Sequence, residues 1–138
     1  MSERKIFITE YDLKRLRDLL ADSMSTEYRN SAYLKQLDEE LKRGQVVAPT
    51  EVPADVITMN SRALLLDLES NEEMEYTLVF PQDADPSAGK ISILAPIGTA
   101  MLGYREGETF AWQVPDGLRK IKVIKIIFQP EASGNFDL

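Results

Sequence analysis

From Pro96 to Glu108 the chain reads PIGTAMLGYREGE, and the reading of its two glycines decides the fold. Gly98 and Gly103 have the spacing of the first half of a phosphate-cradling Gly-x-x-x-x-Gly-Lys-Ser/Thr loop. Such a loop needs a lysine to reach the phosphates and a hydroxyl to hold magnesium, both directly after the second glycine. Tyr104 and Arg105 occupy those places. A short packed helix accounts for every position instead. Pro96 suits a first helical turn, where its missing N–H would be unpaired anyway. Ile97, Ala100 and Met101 fall on one face at i, i+3 and i+4, able to cover a sheet. Gly98 permits close backbone approach, and Gly103 is the natural left-handed residue beyond the helix end. The segment is expected to be a helix on a sheet, without a nucleotide.

Outward from this helix the apolar period is two. Ile91 and Ile93 flank Ser92 in a short strand, and Tyr76, Leu78 and Phe80 mark another. Between them, residues 81–89 are dense in turn formers. Further strands are expected at Val56–Met59, at Arg62–Leu68 and through Phe110, Trp112 and Val114, with Trp112 in the core. After a turn at Pro115-Asp116-Gly117, a last strand runs from Lys120 to Phe128, and its alternation slips near Ile124, which predicts a bulge. The N-terminal third has the helical period. Thr9 and Asp12 approximate a capping box, and Leu13, Leu16 and Leu20 form one stripe. After a polar break from Asp22 to Thr26, Leu34, Leu37 and Leu41 repeat it, and Gly44 is expected to end that helix. Two matching stripes predict an antiparallel hairpin with arms of roughly 20–27 Å at 1.5 Å per residue. The expected class is α+β. A helical hairpin (1–45) and a linker (46–54, with Pro49 and Pro53) precede a domain (55–138) with an antiparallel sheet and one short helix.

Composition restricts the chemistry. Among 138 residues there is no cysteine and no histidine, which removes disulfides, thiol nucleophiles and the commonest metal ligand and general base. No cofactor, metal site or small-molecule substrate is expected, and the chain reads as no enzyme. A net charge of −7 repels phosphate backbones and anionic lipid, so nucleic acid would be met only through a partner. No apolar run reaches the ~20 residues that span a bilayer. The start MSERKIFITEYD lacks the pattern of a signal peptide, so a cytoplasmic location is expected. Lys14, Arg15, Arg17, Lys35, Lys42 and Arg43 read as solvating helix charges, and Asp83 and Asp85 as turn residues.

The ordered residues Ile91, Ser92, Pro96, Ala100, Gly103, Gly107-Glu108 and Pro115-Asp116-Gly117 carry a resemblance. The run from Tyr76 to Pro130 closely resembles the C-terminal domain of bacterial Gre-type transcript cleavage factors. PADVITMNSR (Pro53 to Arg62), the short hairpin and the tail QPEASG (Gln129 to Gly134) resemble one branch of that family, the Rnk-type regulators of nucleoside diphosphate kinase. The resemblance implies an FKBP-like domain that docks on RNA polymerase at the rim of its secondary channel. It assigns polymerase contact to Ser92, Leu94 and Pro96, with Leu94 standing where an acidic residue is usual. Gre factors present two acids at the tip of a coiled coil nearly twice as long, where carboxylates help hold a catalytic magnesium. Here the tip candidates are Asp22 and Glu27, separated by Ser-Met-Ser-Thr. The expected function is regulation of transcription without stimulated cleavage, with any effect on nucleoside diphosphate kinase exerted on its expression. True cleavage-factor activity and an FKBP-like prolyl isomerase are the alternatives.

Overall fold

The computed structural model describes residues 6–23, 32–114 and 117–134. Strand β1 (Phe7–Ile8) leads into helix α1 (Glu10–Ser23). Helix α2 (Ala32–Lys42) returns to strand β2 (Gln45–Val46), which pairs with β1 in parallel. That pairing brings the start of α1 beside the end of α2, so the helices run antiparallel, as their stripes predict. Leu13, Leu16, Leu20, Leu34, Leu37 and Leu41 are all buried. Thr9 caps α1 through its hydroxyl, which accepts from the Asp12 N–H at 3.2 Å. Asp12 was expected to reach back in a capping box, but its carboxylate pairs with Arg15.

Gly44 lies just past the end of α2, as expected, but not as a left-handed cap. It is absent from the positive-φ glycines, and a Cβ on it would stand 3.1 Å from the Ile6 carbonyl oxygen. The adjacent Gln45 N–H donates to that same oxygen at 2.8 Å. Gly44 is small because β1 crosses close to it.

The second layer is a five-stranded sheet in the order β5-β4-β3-β7-β6. It comprises β3 (Arg62–Asp67), β4 (Glu73–Val79), β5 (Lys90–Ser92), β6 (Thr109–Val114) and β7 (Gly117–Phe128). Neighbours are antiparallel except β4 and β5, which run parallel, so the sheet is mixed and not wholly antiparallel. Residues 80–89 carry the chain back from the end of β4 through tight turns at Pro81–Asp83 and Pro86–Ala88. The slip near Ile124 is a bulge: Leu64 pairs with Lys125 and Leu65 with Val123, leaving Ile124 over. A second bulge leaves out Ile127, between Phe128 opposite Arg62 and Ile126 opposite Ala63. The turn residues Pro115 and Asp116 and the side chain of Trp112 lie outside the described residues.

Helix α3 (Pro96–Met101) forms where expected, with Pro96 in its first turn and Gly103 at φ 87° just beyond it. A further short helix, α4 (Pro130–Ser133), was not anticipated; the Gln129 side chain caps it by accepting from the Ala132 N–H at 3.1 Å. Residues 56–59, expected as a strand, are buried but irregular. Their backbone groups bond to the loop after α3: the Ile57 N–H donates to Tyr104 O and the Gly103 N–H to Ile57 O, both at 2.9 Å. One apolar cluster then runs from Leu16 and Leu37 in the hairpin through Ile57, Leu94 and Met101 to Leu65, Phe110 and Val123 in the sheet.

Candidate functional site

At the end of β5 the chain turns a sharp corner into α3, and this corner carries Ser92, Leu94 and Pro96. The Ser92 hydroxyl accepts from the Leu94 N–H at 3.0 Å, and the Ser92 carbonyl accepts from the Ala95 N–H at 3.0 Å. Thr99 donates its hydroxyl to the Ile93 carbonyl at 2.5 Å, tying the first turn of α3 back to the corner. Gly98 lies against the same backbone: a Cβ there would sit 2.1 Å from the Ser92 carbonyl oxygen. Leu94 is buried and belongs to the core cluster, Ser92 is half-buried, and Pro96 is exposed. The outward chemistry of the corner is thus the Pro96 ring beside the edge of a bonded serine. Where the resemblance leads one to look for an acid, this chain places a core side chain.

The hairpin tip is described on one side. Asp22 is exposed in the last turn of α1, and Glu27 lies outside the described residues. Along the helices Lys14, Arg17, Lys35, Lys42 and Arg43 are exposed, and Lys42 pairs with Asp38 at 3.4 Å. Arg15 departs from that group. Its guanidinium pairs with Asp12 and lies 4.0 Å from the Tyr11 ring centroid and 4.4 Å from that of Phe80. Asp83 and Asp85 serve turns, with the Asp85 carboxylate accepting from the Ser87 hydroxyl at 2.6 Å. Tyr104 and Phe110 stack with centroids 5.1 Å apart, and Phe110 is buried. An open cleft of about 720 Å³ lies between α1 and β2 and takes one aromatic, Tyr11. No group of His, Asp and Glu among the described residues has the arrangement of a metal site.

A polar cluster that the sequence reading missed fastens the segment at α4 to residues 53–58. Gln129 donates its amide N–H groups to the carbonyls of Pro53 at 2.7 Å and Val56 at 2.8 Å. Thr58 donates its hydroxyl to Glu131 at 2.8 Å, and the Thr58 N–H donates to the Ser61 hydroxyl at 2.9 Å. Asp12 faces this cluster from α1. Burial pushes its carboxyl up to about 6, against the hydrogen bond and charge of Arg15, with the Glu131 charge adding to the rise. The only sequence signal was a run of small polar residues near apolar ones, which is too common to single out.

The shift has a stability consequence. Asp12 is raised from 3.8, so at intermediate pH the folded chain keeps a proton that the unfolded chain has lost. Its contribution is therefore fully present below pH ~4 and is lost as pH rises to ~6, a change on the order of 1–3 kcal/mol. Asp85 works in the opposite sense, held low by the Ser87 hydroxyl, so its contribution is lost as pH falls. Urea midpoints at pH 4.5 and 6.5 should fall more steeply with pH in the native chain than in Asp12→Asn. Equal slopes would remove Asp12 as the cause.

Comparisons with known proteins give the family of the fold. Residues 52–128 match the family model for the GreA/GreB transcription elongation factor C-terminal domain, and residues 4–47 match the Rnk N-terminus. The chain belongs to the GreA/GreB transcription factor family. Its two matched segments make it a regulator of the Rnk type. Regulator of nucleoside diphosphate kinase from Escherichia coli K12 is 36% identical over 137 residues, 99% of this chain and 98% of that relative. GreA of Acetivibrio thermocellus is 36% identical over 114 residues, covering 79% of this chain and 72% of that protein. A solved GreA/GreB structure from Nitrosomonas europaea superposes with TM-score 0.75 at 38% identity, covering 91% of this chain and all of the other. No helix among the described residues is long and apolar enough to cross a membrane.

Proposed function

We propose that the chain regulates transcription by binding RNA polymerase near its secondary channel, and that it does so without stimulating transcript cleavage. The observation that carries the reading is the length of the hairpin beside an ordered corner at 92–96. Helix α1 has 14 residues, about 21 Å at 1.5 Å per residue. On that scale the hairpin would occupy the channel mouth and obstruct it, or compete with longer Gre-type factors, and would not deliver Asp22 and Glu27 to a buried active centre. Residues 55–138 would be the docking unit, 46–54 the connection and 1–45 the projecting hairpin, acting in the cytoplasm where polymerase is. An influence on nucleoside diphosphate kinase would follow from altered expression.

Purified core polymerase should retain the native chain in a pull-down. Pro96→Glu is the clean variant, because Pro96 is exposed and an acidic residue suits a helix first turn. It should weaken binding about tenfold, the loss of a contact worth ~1.4 kcal/mol. Unchanged binding would place the contact elsewhere. RNA shortening in stalled complexes, abolished by changing Asp22 and Glu27 to alanine, would establish cleavage-factor activity instead.

A further inference from the structure

The sheet has two faces, and they differ. Ala63 and Leu65 of β3 point into the core with Ile121 and Val123 of β7. The alternate residues Leu64 and Leu66 point the other way, followed by Leu68 just past the strand. On that face Leu68, Ile124 and Ile127 are 45%, 37% and 40% exposed, so no described element forms a second layer over it. An antiparallel sheet with one solvated face normally alternates apolar-in with polar-out. Here the central strand breaks that rule, and both bulges add an outward isoleucine.

The strands on either side of the leucine column carry opposite charge. Leu64 stands opposite Glu75 on β4 and Lys125 on β7. Leu66 stands opposite Glu73 and Lys122, and the Leu68 N–H bonds to the Lys120 carbonyl at 2.9 Å. All five of these charged side chains are exposed. Glu75 is also paired within the chain to Arg62. Over residues 64–68 the face thus carries three columns, acidic, apolar and basic, each roughly 4.8 Å from the next, with the exposed Arg62 heading the leucines.

We propose that this face joins a second copy of the chain, sheet against sheet, about a two-fold axis parallel to the strands and running over the leucines. Rotation about that axis exchanges left for right and keeps strand direction. It lays leucine on leucine and places Glu73 and Glu75 of each copy over Lys122 and Lys125 of the other. An axis perpendicular to the strands would set glutamate on glutamate and lysine on lysine, so the charge order selects one dimer. Sheet twist then inclines the two strand sets by about 30°. The net charge of −7 opposes association, but at physiological salt that repulsion is screened beyond ~8 Å, whereas side chains reaching across the face would meet at contact distance. A five-stranded face of about six residues per strand is ~24 by ~20 Å, or ~480 Å² on each copy. That is well under the ~800 Å² per partner of a standard interface, so the dimer is weak and concentration-dependent.

Sedimentation equilibrium of the full chain tests this. The weight-average mass should climb from 15.6 kDa towards twice that value as concentration rises into the high micromolar range. Glu73→Lys with Glu75→Lys should stay monomeric, as should Lys122→Glu with Lys125→Glu, each with native circular dichroism. Mixed in equal amounts, the two should recover the dimer. A mass that never rises, or swapped variants that associate like the native chain, would overturn the proposal. So would a monomeric chain whose retention by polymerase is lost in Leu66→Glu, since the face would then belong to polymerase. The sedimentation arm involves no polymerase, so a mass that never rises leaves the docking reading at 92–96 standing.

Discussion

Gly98→Ala is expected to cost ~3 kcal/mol or more, at or above the usual range for overpacking a filled site. The added Cβ would lie 2.1 Å from the Ser92 carbonyl oxygen, 3.0 Å from its carbon and 3.3 Å from the Ile93 Cα. All three are backbone atoms, so no side-chain rotation relieves the clash. Either α3 lifts from the sheet or the corner at 92–95 moves, and both break bonds on which Leu94 and Thr99 depend. Intrinsic helix propensity pulls the other way, since alanine is favoured over glycine by ~1 kcal/mol in a helix interior. The sign of the result therefore separates the two effects. Gly107→Ala is the control: its Cβ would meet nothing within 4 Å, and its φ of 87° limits the cost to ~1–2 kcal/mol of backbone strain. Urea midpoints compare the three chains, and a Gly98→Ala chain as stable as the native one would refute the packing account.

Leu37→Ala should cost 2–5 kcal/mol, the range for truncating a fully buried leucine. Leu37 is buried to 0% exposure in the cluster that joins the hairpin to the sheet. Because that cluster is continuous, the loss should appear as one earlier transition, seen together in helical ellipticity and in aromatic fluorescence. A split transition, with helix lost first and the sheet melting where it does in the native chain, would mean that the hairpin folds separately. Leu68→Ala, on the open face, should change the midpoint little.

Much of the fold was legible because its signals are local. Pro96, Gly103 and the spacing of Ile97 with Met101 defined α3, and the leucine stripes defined both hairpin helices. What escaped depends on partners distant in sequence. Residues 56–59 are apolar enough for a strand, yet the Ile57 backbone bonds to residues 103 and 104, and a single sequence does not show that pairing. Gly44 was legible as the end of its helix, but the close approach of Ile6, thirty-eight residues earlier, was not. The parity of β7 betrayed the bulge at Ile124 but not that at Ile127, because Phe128 follows and hides the break. At the candidate site, Ser92 and Pro96 were legible as positions. Burial of Leu94 was not, since a leucine two residues before a proline reads equally as surface or core.

The bonding at the corner also bears on how fast and how tightly anything can dock there. Ser92 is held through both its hydroxyl and its carbonyl, Thr99 secures Ile93, and the proline ring has no backbone freedom to surrender. A mobile loop would pay ~0.5–1.5 kcal/mol in conformational entropy for each side chain it ordered on contact. Here that cost was met at folding, so a partner docking as proposed would meet a surface already ordered. Association at this corner should then behave as rigid-body encounter, with rates set by diffusion and orientation and without a folding step of its own.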